Sequence, residues 1–177
     1  MDLTKVVITT DRLKLVPTSR KYATEIFNEF TDEISIYMFP KPAAQMDETL
    51  HFIDSAVKGM LSGLELSVAI LDKETNEFLG HAGASKLNSN RPELGIWIKK
   101  KAHGHRYGRE AVKGLRDWID ENITYQYIKY PVDKRNIPSR KIAEYLGGVI
   151  EDEYKKINLA GNVLDEAEYR IYPKDSS

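Results

Sequence analysis

Between Lys99 and Trp118 the chain reads KKKAHGHRYGREAVKGLRDW, and these residue types suit one task above others, the holding of an anion. The stretch opens as a basic turn with glycines, Lys99 to Gly108. It continues as a helix whose apolar residues Ala111, Val112, Leu115, Trp118 and Ile119 recur on one helical stripe. Just before the turn, Leu94-Gly95-Ile96-Trp97-Ile98 is a short β-rich run that reads as a buried strand. The order strand, glycine-bearing turn, helix has a physical use. The first helical turn leaves backbone N–H groups without partners, and the helix dipole makes that end positive. Such an end suits phosphate or pyrophosphate. Gly104 and Gly108 would let the backbone curl toward the anion. Lys101, Arg106, Arg109 and, when protonated, His105 add positive charge around it. The plainer reading is a solvated basic loop ahead of an ordinary helix, and short glycine motifs alone do not separate the two.

Bulk properties narrow the classes that such a turn could serve. The 177 residues fit one domain with one core, and 41% hydrophobic with 30% charged residues describes a soluble globular chain. A formal net charge of -1 argues against nucleic acid or a membrane as the main partner. Without cysteine there are no disulfides, no thiolate metal sites and no cysteine nucleophile. The N-terminal MDLTKVVITTDRLKL lacks the apolar core of a signal peptide, and no stretch approaches a membrane span, so a cytoplasmic location is expected.

The elements that must position the turn follow from pattern. Val6 to Ile8 and Leu13 to Val16 read as short strands. Thr18 or Ser19 is a candidate cap for a helix with Ala23, Ile26, Phe27 and Phe30 on one face. Thr31 to Gln45, with two close prolines, reads as a loop carrying a helical turn near Glu33 to Tyr37, either the wall of a substrate mouth or a mere connector. Asp47 is a candidate cap for a helix carrying Leu50, Ile53, Val57 and Met60 and ending at Gly63. Leu66 to Leu71 and Phe78 to Leu87 make a hairpin, and Glu93 to Lys99 is a third antiparallel strand. After the Gly108 to Asn122 helix come a strand at Tyr125 to Val132, a helix capped by Asn136, and two last strands at Val149 to Ile157 and Val163 to Tyr172. The expected class is α+β: a mostly antiparallel, twisted sheet of six to seven strands with helices on both faces. Its one parallel pair flanks the Gly108 to Asn122 helix.

Four segments in this order resemble the GNAT acyltransferase superfamily, and most of all the bacterial ribosomal-protein-type N-acetyltransferases. Thr10-Asp11-Arg12-Leu13-Lys14-Leu15 is similar to the family's opening T-x-R-L-x-L strand. Pro92 to Ile98 is similar to its E-L-G-Y-W-I strand, and Lys101 to Ala111 to its pyrophosphate loop. Asp133 to Gly148 is similar to N-x-x-S-x-x-x-x-E-K-L-G-F, here Asn136, Ser139, Glu144, Leu146 and Gly147. Departures are Lys101 for Gln or Arg, Arg106 for the second glycine or alanine, Gly148 for an aromatic, and Ala143 where many such enzymes carry a tyrosine.

The resemblance covers nearly the whole chain and implies a single N-acetyltransferase domain over residues 1–177. It implies acetyl-CoA as co-substrate, no metal, and direct attack by a primary amine, most of all the N-terminal amine of a protein or peptide. In that reading Glu93 takes the amine's proton, a modest demand for an α-amine of ordinary pKa about 8. Backbone N–H groups of Ile96, Trp97 and Ile98 stabilise the carbonyl oxygen, provided that their strand splays from its neighbour. Ser139 protonates the leaving thiolate. The residues from His103 to Arg109, namely His103, Gly104, His105, Arg106, Tyr107, Gly108 and Arg109, hold the co-substrate together with Lys101, Asn136 and Ser139. Glu93 as a surface-paired carboxylate and Ser139 as a capping hydroxyl are the plainer alternatives. His103 and His105 lack a third ligand nearby for a metal.

Other readings stay open at this point. The basic turn could bind nucleic acid, or the fold could bind acyl-CoA without catalysis. The acceptor could be a small amine such as an aminoglycoside or a polyamine, with Asp32, Glu33, Asp47 and Glu48 as an acidic pocket. The resemblance implies a monomer or a homodimer, and no surface stripe in the sequence separates the two.

Overall fold

The computed structural model describes residues 1–174. The chain runs β1 (Ile8–Thr9), β2 (Leu13–Pro17), α1 (Ala23–Glu29), α2 (Asp32–Ser35), α3 (Met46–Leu61), β3 (Leu66–Asp72), β4 (Phe78–Ser85) and β5 (Glu93–Ile98). It continues with α4 (Tyr107–Asn122), β6 (Ile128–Asp133), α5 (Ile137–Tyr145), β7 (Val149–Ile157) and β8 (Val163–Ile171). Single turns of 3-10 helix precede α1 at Arg20–Tyr22 and α4 at Lys100–Ala102. All strands join one sheet of order β1-β2-β3-β4-β5-β6-β8-β7. It has eight strands rather than six to seven. The strand read at Val6 to Ile8 is β1, only two residues long, which pairs with β2 at Ile8↔Leu15 and extends the edge.

Alternation along β3 explains why both faces are covered. Leu66, Val68 and Ile70 face one core with Ala111, Val112, Leu115 and Ile119 of α4. Ala69 and Leu71 face a second with Ile26 of α1 and Ile53 of α3. Two caps differ from expectation. Thr18 is buried and its hydroxyl bonds Ser67 and His81, while Ser19, which does occupy the cap position of the first turn, makes no side-chain bond there. α3 starts after Gln45, so Asp47 lies inside its first turn, where a carboxylate still suits the dipole. The strand expected from Tyr125 starts at Ile128.

β5 and β6 form the parallel pair, and it is short. They meet at the single bridge Glu93↔Lys129, whereas β4 and β5 pair over six residues. Beyond Glu93 the two strands part. The gap so formed opens toward the start of α4.

Candidate functional site

The gap is built from three sides. β5 supplies Leu94, Ile96 and Ile98 to the α4 face and Glu93, Gly95 and Trp97 to the other. The first turn of α4 closes one end of the gap, and α5 approaches from the β6 side. Gly108 is the packing residue here. A Cβ on it would lie 3.2 Å from Ile142 and 3.6 Å from Ile98, so its missing side chain lets α4 sit close to α5 and β5. It is helical and does not curl the turn, as was expected of it; that task falls to Gly104, at φ +87 with open space where a side chain would be. It falls also to Arg106, at φ 60.

Arg106 is the residue before α4 and makes no side-chain cap. The N–H groups of Tyr107, Gly108 and Arg109 therefore point out of an uncapped helix end. A non-glycine residue in this left-handed region carries strain of about 1 kcal/mol or more. Arg106→Gly is accordingly expected to stabilise the fold by about 1 kcal/mol, seen as a rise in Tm of roughly 2–4 °C. A lower Tm would show that the arginine side chain holds the turn.

The basic residues divide by what they touch. Lys100 pairs with Glu33 at 2.8 Å and Lys99 with Glu77 at 3.0 Å, which leaves Lys101 exposed at the rim. His103 folds back, with Nε2 at 2.7 Å from the Ile98 carbonyl oxygen, to which it donates. His105 lies against Tyr107 at 5.4 Å between ring centroids. The Arg109 guanidinium covers the Tyr145 ring at 3.7 Å. Among the described residues no cluster of three or more His, Asp or Glu is placed to hold a metal.

One carboxylate, Glu110, sits in this otherwise positive first turn, and the N-terminal hairpin neutralises it. Thr10 Oγ1 donates to it at 2.5 Å, the Arg12 backbone N–H at 2.9 Å and Arg12 Nε at 2.7 Å. Burial pushes its pKa up, but these hydrogen bonds outweigh it and hold the carboxyl ionised below its ordinary range. Arg12 also donates to the His105 carbonyl oxygen at 3.0 Å. The hairpin thus stitches the turn in place while cancelling the charge that would repel an anion.

On the α5 side, Asn136 caps the helix by accepting from the Ser139 N–H at 3.4 Å. The Ser139 hydroxyl is not a cap. It lies 2.8 Å from the hydroxyl of Tyr130, whose pKa burial pushes up to about 12. Tyr130 therefore stays protonated and holds the serine in one orientation. Ser139 and Glu93 lie on opposite faces of the sheet, with the β5–β6 gap between them.

On the Glu93 face a cleft of about 690 Å³ lies between α1, α3, the loop after α2 and β3 to β5. Its floor is a pair of glycines, Gly83↔Gly95. The cross-strand pair His81↔Trp97 flanks one end and Ser85↔Glu93 the other, about 13 Å apart along the strands. The loop after α2 makes the roof. Its Phe39 carbonyl accepts from the Leu159 N–H at 3.0 Å, its Met38 carbonyl from Asn158 at 3.1 Å, and Met38, Pro40, Lys41 and Ala43 line the cleft. The loop thus walls the cleft as well as connecting α2 to α3. Of the four acidic residues expected there, only Glu48 lines the cleft, and it accepts from the Ala44 N–H at 2.9 Å; Glu33 is spent on Lys100.

His81, Phe52 and Tyr130 were not singled out by their sequence context. Gly83 and Gly95 carried a usable signal, since a glycine inside a strand marks close approach by a ligand or another backbone.

Residues 12–149 match the acetyltransferase (GNAT) domain family. The chain is similar to the uncharacterized N-acetyltransferase p20 of Bacillus licheniformis, 26% identical over 163 residues, which cover 88% of this chain and 90% of that protein. In fold it is similar to the ribosomal-protein-S5-alanine acetyltransferase of Vibrio fischeri, with TM-score 0.82 and 18% identity over 98% of this chain and 100% of that one. It is similar also to the spermidine N-acetyltransferase of Vibrio cholerae solved with CoA and spermine, with TM-score 0.80 and 19% identity over 93% and 97% of the two chains.

Proposed function

The chain belongs to the GNAT acetyltransferase family, and from that premise we propose that it moves the acetyl group of acetyl-CoA onto a primary amine by direct attack. The observation that carries this reading is the parting of β5 from β6 after one bridge, directly below the uncapped start of α4. The residues fit the co-substrate. The N–H groups of Tyr107, Gly108 and Arg109 suit a pyrophosphate, with Gly104, Arg106, Lys101 and His105 around it. The free edge of β5 at Ile96 to Ile98 suits an extended amide-bearing arm. Bound there, acetyl-CoA supplies a thioester, an acyl carbon open to a nitrogen nucleophile.

This chain's residues do the rest. The amine enters through the cleft and meets the acyl carbon over Gly95. Glu93, at the end of the slot, takes the proton that the ammonium must lose before its nitrogen can attack. β5 backbone N–H groups donate to the carbonyl oxygen as charge grows on it. From the other face, Ser139, oriented by Tyr130, gives the departing sulfur a proton and recovers one from the new amide nitrogen through solvent. The acceptor in this proposal is an N-terminal amine of a peptide or protein, in line with the ribosomal-protein-modifying structures of the same fold. The polyamine reading draws on the spermidine enzyme, and the cleft's carboxylates for it would be Glu48, Glu65 and Glu93.

Isothermal titration with CoA and acetyl-CoA tests the site, on wild type, Gly104→Asp and Gly104→Asn. Asn and Asp share shape and backbone strain, so only charge separates them. Wild type is expected to bind at micromolar Kd, Gly104→Asn to keep most of that affinity and Gly104→Asp to lose at least about tenfold, the size of one charge contact. No binding by wild type would overturn the acetyltransferase reading.

A further inference from the structure

The cleft's lining has a chemistry of its own. At the end away from Glu93, four rings converge. Phe30 packs on Trp97 at 5.1 Å, His81 faces Trp97 at 6.4 Å with planes 25° apart, and Phe52 meets His81 edge-on at 5.4 Å. Ile26, Phe27 and Met38 complete this end.

His81 is held rigidly. Its Nε2 lies 2.9 Å from the Ser67 hydroxyl and 3.1 Å from that of Thr18, which are themselves 2.9 Å apart. Both hydroxyls can donate or accept, so they fix the ring without charging it. Burial keeps the imidazole neutral, with its pKa pushed down to about 4. The charged groups that line the cleft are Lys41, Glu48, Glu65 and Glu93. Glu48 is engaged at Ala44. Burial raises the pKa of Glu65. Glu93 stands at the end of the glycine floor, and a wall of neutral rings stands opposite it.

We propose that this wall selects the acceptor: a primary amine one or two carbons from an aromatic or branched apolar group, its body against Phe30, Phe52, His81 and Trp97 and its nitrogen directed along the glycine floor to Glu93. The assignment rests on the acetyl-transfer reading and narrows it. A polycation would have to desolvate a second charge at this ring-lined end. An apolar body instead gains burial there, and its one ammonium reaches Glu93. The same chemistry can come from a free arylalkylamine or from a peptide whose first residue is apolar.

Trp97 reports occupancy directly. Its fluorescence is titrated, in the presence of CoA, with 2-phenylethylamine, phenylalanyl-alanine amide and spermidine, on wild type, Phe52→Ala and Trp97→Phe. CoA affinity is measured in parallel by calorimetry. At least one phenyl compound is expected to bind tenfold or more tightly than spermidine. Phe52→Ala should weaken that binding at least tenfold with CoA affinity unchanged, and Trp97→Phe should remove the signal. The tighter of the two phenyl compounds identifies the free amine or the peptide as the source. Spermidine binding as tightly as either, or no saturable signal from any amine, overturns the proposal. Phenyl binding without any CoA binding would overturn the acetyl-transfer reading and leave the selectivity standing.

Discussion

Gly95→Val is expected to cut acetyl transfer by at least about 100-fold while leaving CoA affinity and folding intact, because a misplacement of the reacting atoms by about 1 Å is enough for a loss of that size. The argument is geometric. A Cβ at Gly95 meets nothing within 4 Å, so the protein itself offers no clash. Valine also prefers a strand. The space that it fills is the floor between His81↔Trp97 and Ser85↔Glu93, where the proposed mechanism places the amine. In the proposed arrangement the co-substrate's arm runs along the free edge of β5 from Ile96 to Ile98 and its pyrophosphate meets the start of α4, neither of which the valine side chain is expected to displace. Steady-state kinetics, calorimetry with CoA and a thermal melt check the three parts separately. Full activity in the variant would place the amine's approach somewhere else.

The second large effect concerns stability and its dependence on pH. Glu166 on β8 is buried, with one carboxylate oxygen that neither water nor a hydrogen-bond partner reaches. Burial, reinforced by the charge of Asp133, pushes its pKa up to about 7. The folded state therefore holds a proton that the unfolded state releases near pH 4.5. Between those values the native chain binds more protons, so stability falls as pH rises through the window. Above pH 7 the full cost of the buried charge is present. Glu166→Gln removes that charge at constant shape. The variant is expected to be more stable than wild type by about 3 kcal/mol at pH 8 and nearly equal to it at pH 4. Urea unfolding over a pH series reads both. A variant less stable at pH 8 would mean that the ionised carboxylate has found a partner. Asp133 acts in a separate window. Burial raises its pKa, but donors from Arg135 and Asp165 prevail and hold it down at about 2. Its contribution is complete above pH 4 and disappears only as pH falls toward 2.

Much of this architecture was legible in the sequence, because α4 and the strands carry strong periodicity and the glycine turn has few structural uses. The pairing of Thr10 and Arg12 with Glu110 shows what was legible only in part. All three residues stood in segments recognisable by resemblance, yet nothing in the sequence showed that they hold one another across about a hundred positions. Ser139 was visible as a hydroxyl near a cap, but its partner Tyr130 comes from another element. His81 was hidden for a like reason. Its meaning depends on Ser67 one strand away and Thr18 before α1, and cross-strand neighbours are set by register, not by local pattern. Of the four acidic residues read near the proline loop, only Glu48 lines the cleft, because which carboxylates face it is set by how α2 and α3 pack and not by nearness in sequence.

The single bridge between β5 and β6 also bears on the lifetime of the protein. Here two half-sheets meet at one ladder bridge and one flanking backbone hydrogen bond, from Gln126 to Asn90, and the covalent path between them runs through α4. A molecule lodged in the gap joins them, so every increment of its binding free energy is added to the cost of pulling the halves apart. Proteases and chaperones act on opened chains, and the opened fraction follows that cost. Occupancy of the gap, by acetyl-CoA or by CoA alone, would lengthen the life of the folded chain as well as serve its chemistry.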